Sequence, residues 1–239
     1  MERWDELWPK GWRFCFQDGV FLPSTDTFLL GGFAAPKKGD RVCDLGAGMG
    51  LLGLLLLARQ PTIHVTDVDI DPDACTLAEK NFAANGLDGH RVLCGDLRDR
   101  ASLPTAGSFD MVVSNPPYFD VKRGAVAAGQ RGSARSEVCC TLEDVCGAAA
   151  YLLRSGGQFC LVHRAERLAE VMALTTRLRL EPKELQLVQK RPDTPPRLAL
   201  LRCRKDGGAG LTVHPPLVTQ DEDGGESPAL ARCYFRDRE

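Results

Sequence analysis

From residue 40 onward, short apolar runs alternate with stretches whose apolar residues recur at helical spacing. "RVCDLG" (41–46) is a β-rich run and "LLGLLLLARQ" (51–60) reads as a buried helix. "IHVTDV" (63–68) is a second run, and "DPDACTLAEKNFAANG" (71–86) a second helix. Its expected N-cap is Asp71, with Pro72 at the first helical position and Gly86 at the stop; Ala74, Leu77, Ala78 and Phe82 share one face. "RVLCGD" (91–96) and "FDMVVSN" (109–115) are the third and fourth runs. "LEDVCGAAAYLL" (142–153) predicts a helix ended by Ser155-Gly156-Gly157, and "QFCLVH" (158–163) a fifth strand. "RAERLAEVMALTTRL" (164–178) predicts another helix, before last strands at "KELQLVQ" (183–189) and "RLALLRC" (197–203).

Alternating strands and helices imply βαβ units. Right-handed crossovers make these an α/β fold: a three-layer, Rossmann-like, doubly wound sheet, mostly parallel, with an antiparallel last strand. The expected organisation is a single domain over 1–239, comprising an N-terminal cap segment (1–39), a core (40–205) and a C-terminal extension (206–239). Residues 119–137 are weakly periodic and read as a mobile loop, 206–210 and 221–228 as surface turns.

Composition narrows the partners. Net charge is −2, so no global basic field announces nucleic acid. No apolar run reaches membrane-spanning length, and the charged N-terminus does not read as a secretory signal. The ten cysteines include no C-x-x-C pair, and several fall in expected strands, which suggests reduced thiols and a cytoplasmic protein without a bound metal. The four histidines, His64, His90, His163 and His214, are scattered, and structural roles are expected for them.

In an open α/β sheet, ligands bind at the carboxyl ends of the strands. The first strand ends in "DLGAGMG" (44–50), where glycines permit a sharp turn and the next helix offers free N–H groups to an anion. Gly48, Gly50 and Gly53 match the dinucleotide fingerprint. Asp44, however, stands just ahead of the turn, where it would repel a pyrophosphate and suit an ammonium. S-adenosyl-L-methionine (SAM) carries such an ammonium, and a carboxylate for the helix N-terminus. Asp69 at the second strand end is placed for the ribose hydroxyls, and Asp96 at the third for the adenine amino group.

The fourth run ends in Asn115-Pro116-Pro117-Tyr118. The prolines stop the strand and remove donors, so the Asn115 amide oxygen and nearby carbonyls present acceptors to a planar amine. Tyr118 offers a flat face for a base. Methyl transfer from a sulfonium needs alignment and desolvation rather than a strong base. A non-catalytic nucleotide-binding Rossmann-like protein would keep the glycine turn without needing this corner, and a dehydrogenase would bind NAD in place of SAM.

"DLGAGMG", "DVD", "GD" and "NPPY" at these spacings resemble class I SAM-dependent methyltransferases of the amino-methylating type. The flanks "ERWDEL…FCFQDGVFLPSTDTFLLGGFA" and "RAERLAEVM…LEPKELQLV…PPRLALLRC" are similar to the tRNA1(Val) adenine N6-methyltransferase family. The resemblance implies SAM as donor and an adenine near a tRNA anticodon as acceptor. It implies a catalytic corner of Asn115, Pro116, Pro117 and Tyr118, and a cofactor held by Asp44, Gly46, Ala47, Gly48, Asp69, Ile70, Asp96 and Leu97. Asp26 would sit in the segment closing over the site. Met49 stands where the family often has a small polar residue, and the stretch after residue 220 matches poorly. Lys122, Arg123, Arg131 and Arg135 are the first candidates for RNA contact, with Arg164, Arg167, Lys183 and Lys190 second. Two acceptor alternatives keep the same chemistry: a release-factor glutamine, whose enzymes resemble each other through a helical N-terminal domain too large for the 40 residues before the first strand, and guanine N2 of ribosomal RNA.

Overall fold

The computed structural model describes residues 2–17, 22–87, 89–117 and 140–238. The chain opens with an antiparallel hairpin, β1 (Glu2–Glu6) and β2 (Arg13–Gln17), followed by helix α1 (Thr25–Ala34). Then come β3 (Arg41–Leu45), α2 (Leu51–Arg59), β4 (His64–Asp69), α3 (Pro72–Ala83), β5 (Arg91–Cys94) and β6 (Phe109–Ser114). The second half holds α4 (Leu142–Leu152), β7 (Leu153–Arg164), α5 (Leu168–Arg177), β8 (Leu180–Gln189), β9 (Leu198–Lys205), the short strands β10 (Thr212–Val213) and β11 (Leu217–Val218), and α6 (Pro228–Cys233).

Spatially the main sheet runs β10-β8-β9-β7-β6-β3-β4-β5, with β11 also on β8. β5, β4, β3, β6 and β7 are mutually parallel, and β9 is antiparallel to both its neighbours β7 and β8. This is the expected mostly parallel, doubly wound sheet with its antiparallel strand near one edge. Sheet order reverses between β3 and β6, so the ends of β3 and β6 open onto a common crevice. One apolar core joins α1 and α2 to the first face; a second joins α4 and α5 to the other. α2 carries a continuous leucine run because it is covered all round: Leu51 to Ala58 are all buried.

α3 begins and ends as its sequence indicates: the Asp71 side chain accepts the Asp73 N–H, Pro72 opens the helix, and Gly86 takes φ +63 just past its end. Two expectations are corrected. The helix at 142–153 does not run to Ser155-Gly156-Gly157: it ends at Leu152, and those residues lie inside β7. The strand register shifts between Leu153, opposite Phe109, and Gln158, opposite Met111, so the small residues serve a β-bulge. β8 likewise starts earlier than expected, at Leu180, and Pro182 is accommodated because the register shifts between it and Glu184. Expected surface turns at 206–210 and 221–228 flank β10 and β11, which extend the sheet edge.

Both ends of the chain pack on the first face. Asn81 of α3 is fully buried; its Oδ1 accepts the Cys15 N–H at 2.5 Å, and its Nδ2 donates to Cys15 O and Met49 O at 2.9 Å each. One turn later Asn85 accepts from Arg13 N and donates to Arg13 O. The pair mimics a neighbouring strand for β2. At the other terminus Phe235 is buried against Trp8, Arg59 donates to Cys233 O at 2.8 Å, and Arg238 donates to Ala58 O at 2.9 Å. Asn81→Ala would strand two carbonyls and one N–H, and should cost about 3 kcal/mol in urea unfolding with an unchanged denaturant slope.

Candidate functional site

The turn after β3 is built from backbone donors. Gly46 N and Ala47 N both donate to Val68 O, at 2.9 and 3.2 Å, and Gly50 N closes on Ala47 O. Gly46, Gly48 and Gly50 have φ of +71, +56 and +76, so β-carbons there would be strained. Gly48 N donates to Asp69 Oδ2 at 2.7 Å, while Asp69 Oδ1 accepts Asp71 N at 2.9 Å. One carboxylate thus ties the turn to the start of α3. The later glycines allow close packing: a Cβ at Gly50 would come within 2.8 Å of Asp67 Oδ2, and one at Gly53 within 3.0 Å of Asp67 Oδ1.

Asp44 lies opposite Asp67 across the β3–β4 ladder and is 2% exposed. Burial, reinforced by the Asp69 charge, pushes its carboxyl up to about 8. Asp67 is fully buried, and neither of its carboxyl oxygens has a hydrogen-bond partner. Burial, with Asp44 and Asp69 adding repulsion, raises its carboxyl well above the ordinary range. Burial raises Asp69 as well, against the N–H bonds it accepts. Sequence reasoning missed Asp67; its signal was position, two residues before Asp69 and therefore on the same strand face.

Asn115 follows β6, beyond the buried Ser114, whose hydroxyl donates to Leu45 O at 2.7 Å. Pro116 is buried and Pro117 exposed. Asn115 shares a cleft with Asp44, Gly46, Ala47 and Thr27, with Leu22 and Pro23 also lining it. Its Nδ2 donates to Thr27 Oγ1 at 2.9 Å. Asp26 lies in the first turn of α1, half-buried, beside Thr27. Ile70 is 40% exposed next to Asp69, and Leu97 is buried. Asp96 sits after β5 with both oxygens bonded by Arg98, which holds its carboxyl below the usual range. Tyr118, Lys122, Arg123, Arg131, Arg135 and the segment 119–137 lie outside the described residues.

Of the second group of cations, Arg164 and Arg167 stand at the carboxyl end of β7 and Lys190 just past that of β8, at the cleft's end of the sheet. Lys183 is near the start of β8, at the opposite end, donating to Gly208 O. His163 is buried, its Nδ1 accepts Arg164 N, and burial lowers its ring to about 4. Among the described residues no group of side chains could hold a metal, and no helix is long and apolar enough to cross a membrane. All nine described cysteines are free.

The donor set fits SAM. A desolvated carboxyl at Asp44 suits an ammonium, Asp69 has acceptor capacity at the strand end, and the exposed Ile70 offers an apolar wall for a base.

Comparison with known proteins gives one consistent neighbourhood. The family model "Methyltransferase small domain" matches residues 12–183. Curated relatives include a tRNA1(Val) (adenine(37)-N6)-methyltransferase of Flavobacteriaceae bacterium (strain 3519-10), 32% identical over 60% of this chain; the match spans only 59% of that relative's length. An equally named protein of Dickeya chrysanthemi is 30% identical over 88% of this chain and 86% of its own. A crystal structure described as a predicted O-methyltransferase of Agrobacterium tumefaciens superposes with a TM-score of 0.72 and 25% identity, covering 88% of this chain and 95% of that one.

Asp67 yields a stability prediction. In the unfolded chain its proton leaves as pH rises through the ordinary carboxylate range, whereas the folded chain retains it, so stability falls as pH rises above about 4. Asp67→Asn should therefore reduce the loss of stability between pH 5 and pH 8 seen in denaturant titrations, while Asp44 and Asp69 keep part of it.

Proposed function

The chain belongs to the methyltransferase small domain family, and from that premise we propose that it transfers a methyl group from SAM to the exocyclic N6 of an adenine in tRNA, near the anticodon. One observation carries this: the cleft joins the Asp44–glycine turn to Asn115 at the point where sheet order reverses. The names of the curated relatives support the acceptor. SAM, when bound, supplies an electrophilic methyl on a sulfonium.

The chain's own residues do the rest. Asp44 supplies a counter-charge for the ammonium, Gly46, Ala47 and Gly48 let the backbone approach, and Asp69 receives the ribose hydroxyls. Ile70 and Leu97 flank the base; Asp96 meets its amino group once it shares Arg98. The Asn115 amide oxygen accepts a hydrogen bond from the adenine NH₂, holding the nitrogen in line and stabilising the positive charge that develops on it as the methyl group arrives. Pro116 and Pro117 keep competing N–H donors away, and Tyr118 stacks on the base. Lys122, Arg123, Arg131 and Arg135 contact phosphates, joined by Arg164, Arg167 and Lys190. In this reading the segments 1–39 and 206–239 act with the core as one unit, in the cytoplasm. An oxygen acceptor, as named for the Agrobacterium protein, would call for a base to take a hydroxyl proton. An amide acceptor at Asn115 suits an amine better.

Four outcomes are expected. With labelled SAM, unmodified tRNA should be methylated in preference to ribosomal RNA or release factors, and transfer only to protein would overturn the acceptor. Asn115→Ala should lower kcat by about 100-fold or more with SAM affinity nearly unchanged. SAM binding at pH 7 should release a proton, because Asp44 is mainly protonated below about 8 and an adjacent ammonium favours its ionised form. Calorimetry in two buffers of different ionisation enthalpy reads that proton, and Asp44→Asn should abolish it. Reversing the charges at 122, 123, 131 and 135 should weaken tRNA methylation and flatten its salt dependence.

A further inference from the structure

The Asn115 amide has two unlike ends, and only its oxygen can receive an amine. Its Nδ2 donates to Thr27 Oγ1 at 2.9 Å and also lies 3.5 Å from Ser24 Oγ. The two hydroxyls are 3.2 Å apart, and Ser24 Oγ caps α1 by accepting Thr27 N at 3.4 Å. Thr27 is 6% exposed and lines the same cleft as Asn115. A hydroxyl can donate or accept, so its direction depends on its other partner. With the Thr27 O–H directed at Ser24, its lone pairs face Asn115 and select the orientation in which Nδ2 turns toward α1. The flipped amide would set an NH₂ against the substrate's NH₂, donor against donor.

We infer that Thr27 is a positioning residue for methyl transfer: its hydroxyl, backed by Ser24, fixes the Asn115 amide so that Oδ1 faces the acceptor amine. The inference rests on the proposed N-methylation and adds residues of the N-terminal segment that hold the catalytic group from 88 positions away. Thr27→Val removes the hydroxyl at nearly constant shape, Thr27→Ala removes it with less bulk, and Thr27→Ser keeps it.

Steady-state methylation of an unmodified tRNA transcript, with SAM affinity and melting temperature measured in parallel, tests this. Val and Ala should each lower kcat by about 10–100-fold through misorientation. KM for tRNA and the Kd for SAM should stay within about threefold, and Ser should retain most of kcat. Wild-type kcat or higher in Thr27→Val overturns the inference, as does a Ser variant as impaired as Val. If the wild-type chain methylates an amine other than tRNA adenine, the acceptor reading falls and the same three variants decide the positioning role on that amine. Transfer to no amine at all ends both.

Discussion

The bond from Gly48 N–H to the Asp69 carboxylate is the constraint around which the site is arranged. A turn of three glycines in left-handed geometry has little to hold it, because glycine loses the most backbone freedom on ordering. Here the loss is offset chiefly by bonds to the end of β4: Val68 O receives Gly46 and Ala47, and Asp69 receives Gly48. The turn therefore inherits the rigidity of two central strands. Asp69 also accepts the Asp71 N–H at the opening of α3, so one side chain sets the spacing between the turn and the next helix. A charge-assisted N–H···O bond is about twice as strong as a neutral one, which suits a joint that must stay closed when a ligand arrives.

The outer segments buttress the same turn. Met49 O, inside it, is held by Asn81, and Asn81 also holds Cys15 of the hairpin. Displacing the hairpin would therefore free a donor directly beneath the glycine loop. On the other flank α1 crosses α2 closely at Gly31, where a Cβ would lie 3.1 Å from Leu55, and meets α6 at Gly32. Phe28 of α1 stacks on Tyr234 at 4.3 Å, and Thr25 bonds the same tyrosine's hydroxyl. The position of Thr27 over the cleft thus depends on the tail, although the tail lies more than 200 residues away in the chain.

What could be read from the sequence follows from how local the causes are. The βα alternation, the α3 cap at Asp71 and the strand ends at Asp44, Asp69 and Asn115 rest on neighbours within a few positions. The hairpin was not legible because β1 is exposed along its whole length and shows no apolar alternation; it is held by Asn81 and Asn85, an i, i+4 pair facing a distant backbone. The end of α4 was misread because Ser155-Gly156-Gly157 looks the same whether it stops a helix or forms a bulge in a strand that has already begun. Thr27 was passed over for Asp26 because a hydroxyl's value here lies in a partner just past the end of β6, 88 positions away, which no local pattern reveals.

The three carboxyls divide their tasks by reach. Asp67 sits under Gly50 and Gly53, fully buried, and no ligand can touch it without displacing the helix above. Asp44 lines the cleft, and Asp69 is half-buried at its edge. In the folded chain burial and mutual repulsion make the protonated state the less costly one for Asp44 and Asp67, while Asp69 is raised as well, against the N–H bonds it accepts. A cation entering the cleft changes that balance for Asp44, which it can approach, far more than for Asp67, which it cannot. In the proposed reading the cleft favours a positively charged ligand: a pyrophosphate would meet carboxyl groups that must stay protonated to tolerate it, whereas an ammonium suits the ionised form of Asp44. The same reading makes Asp44, which precedes the glycine turn, the residue that sets its glycine spacing apart from that of a dinucleotide site.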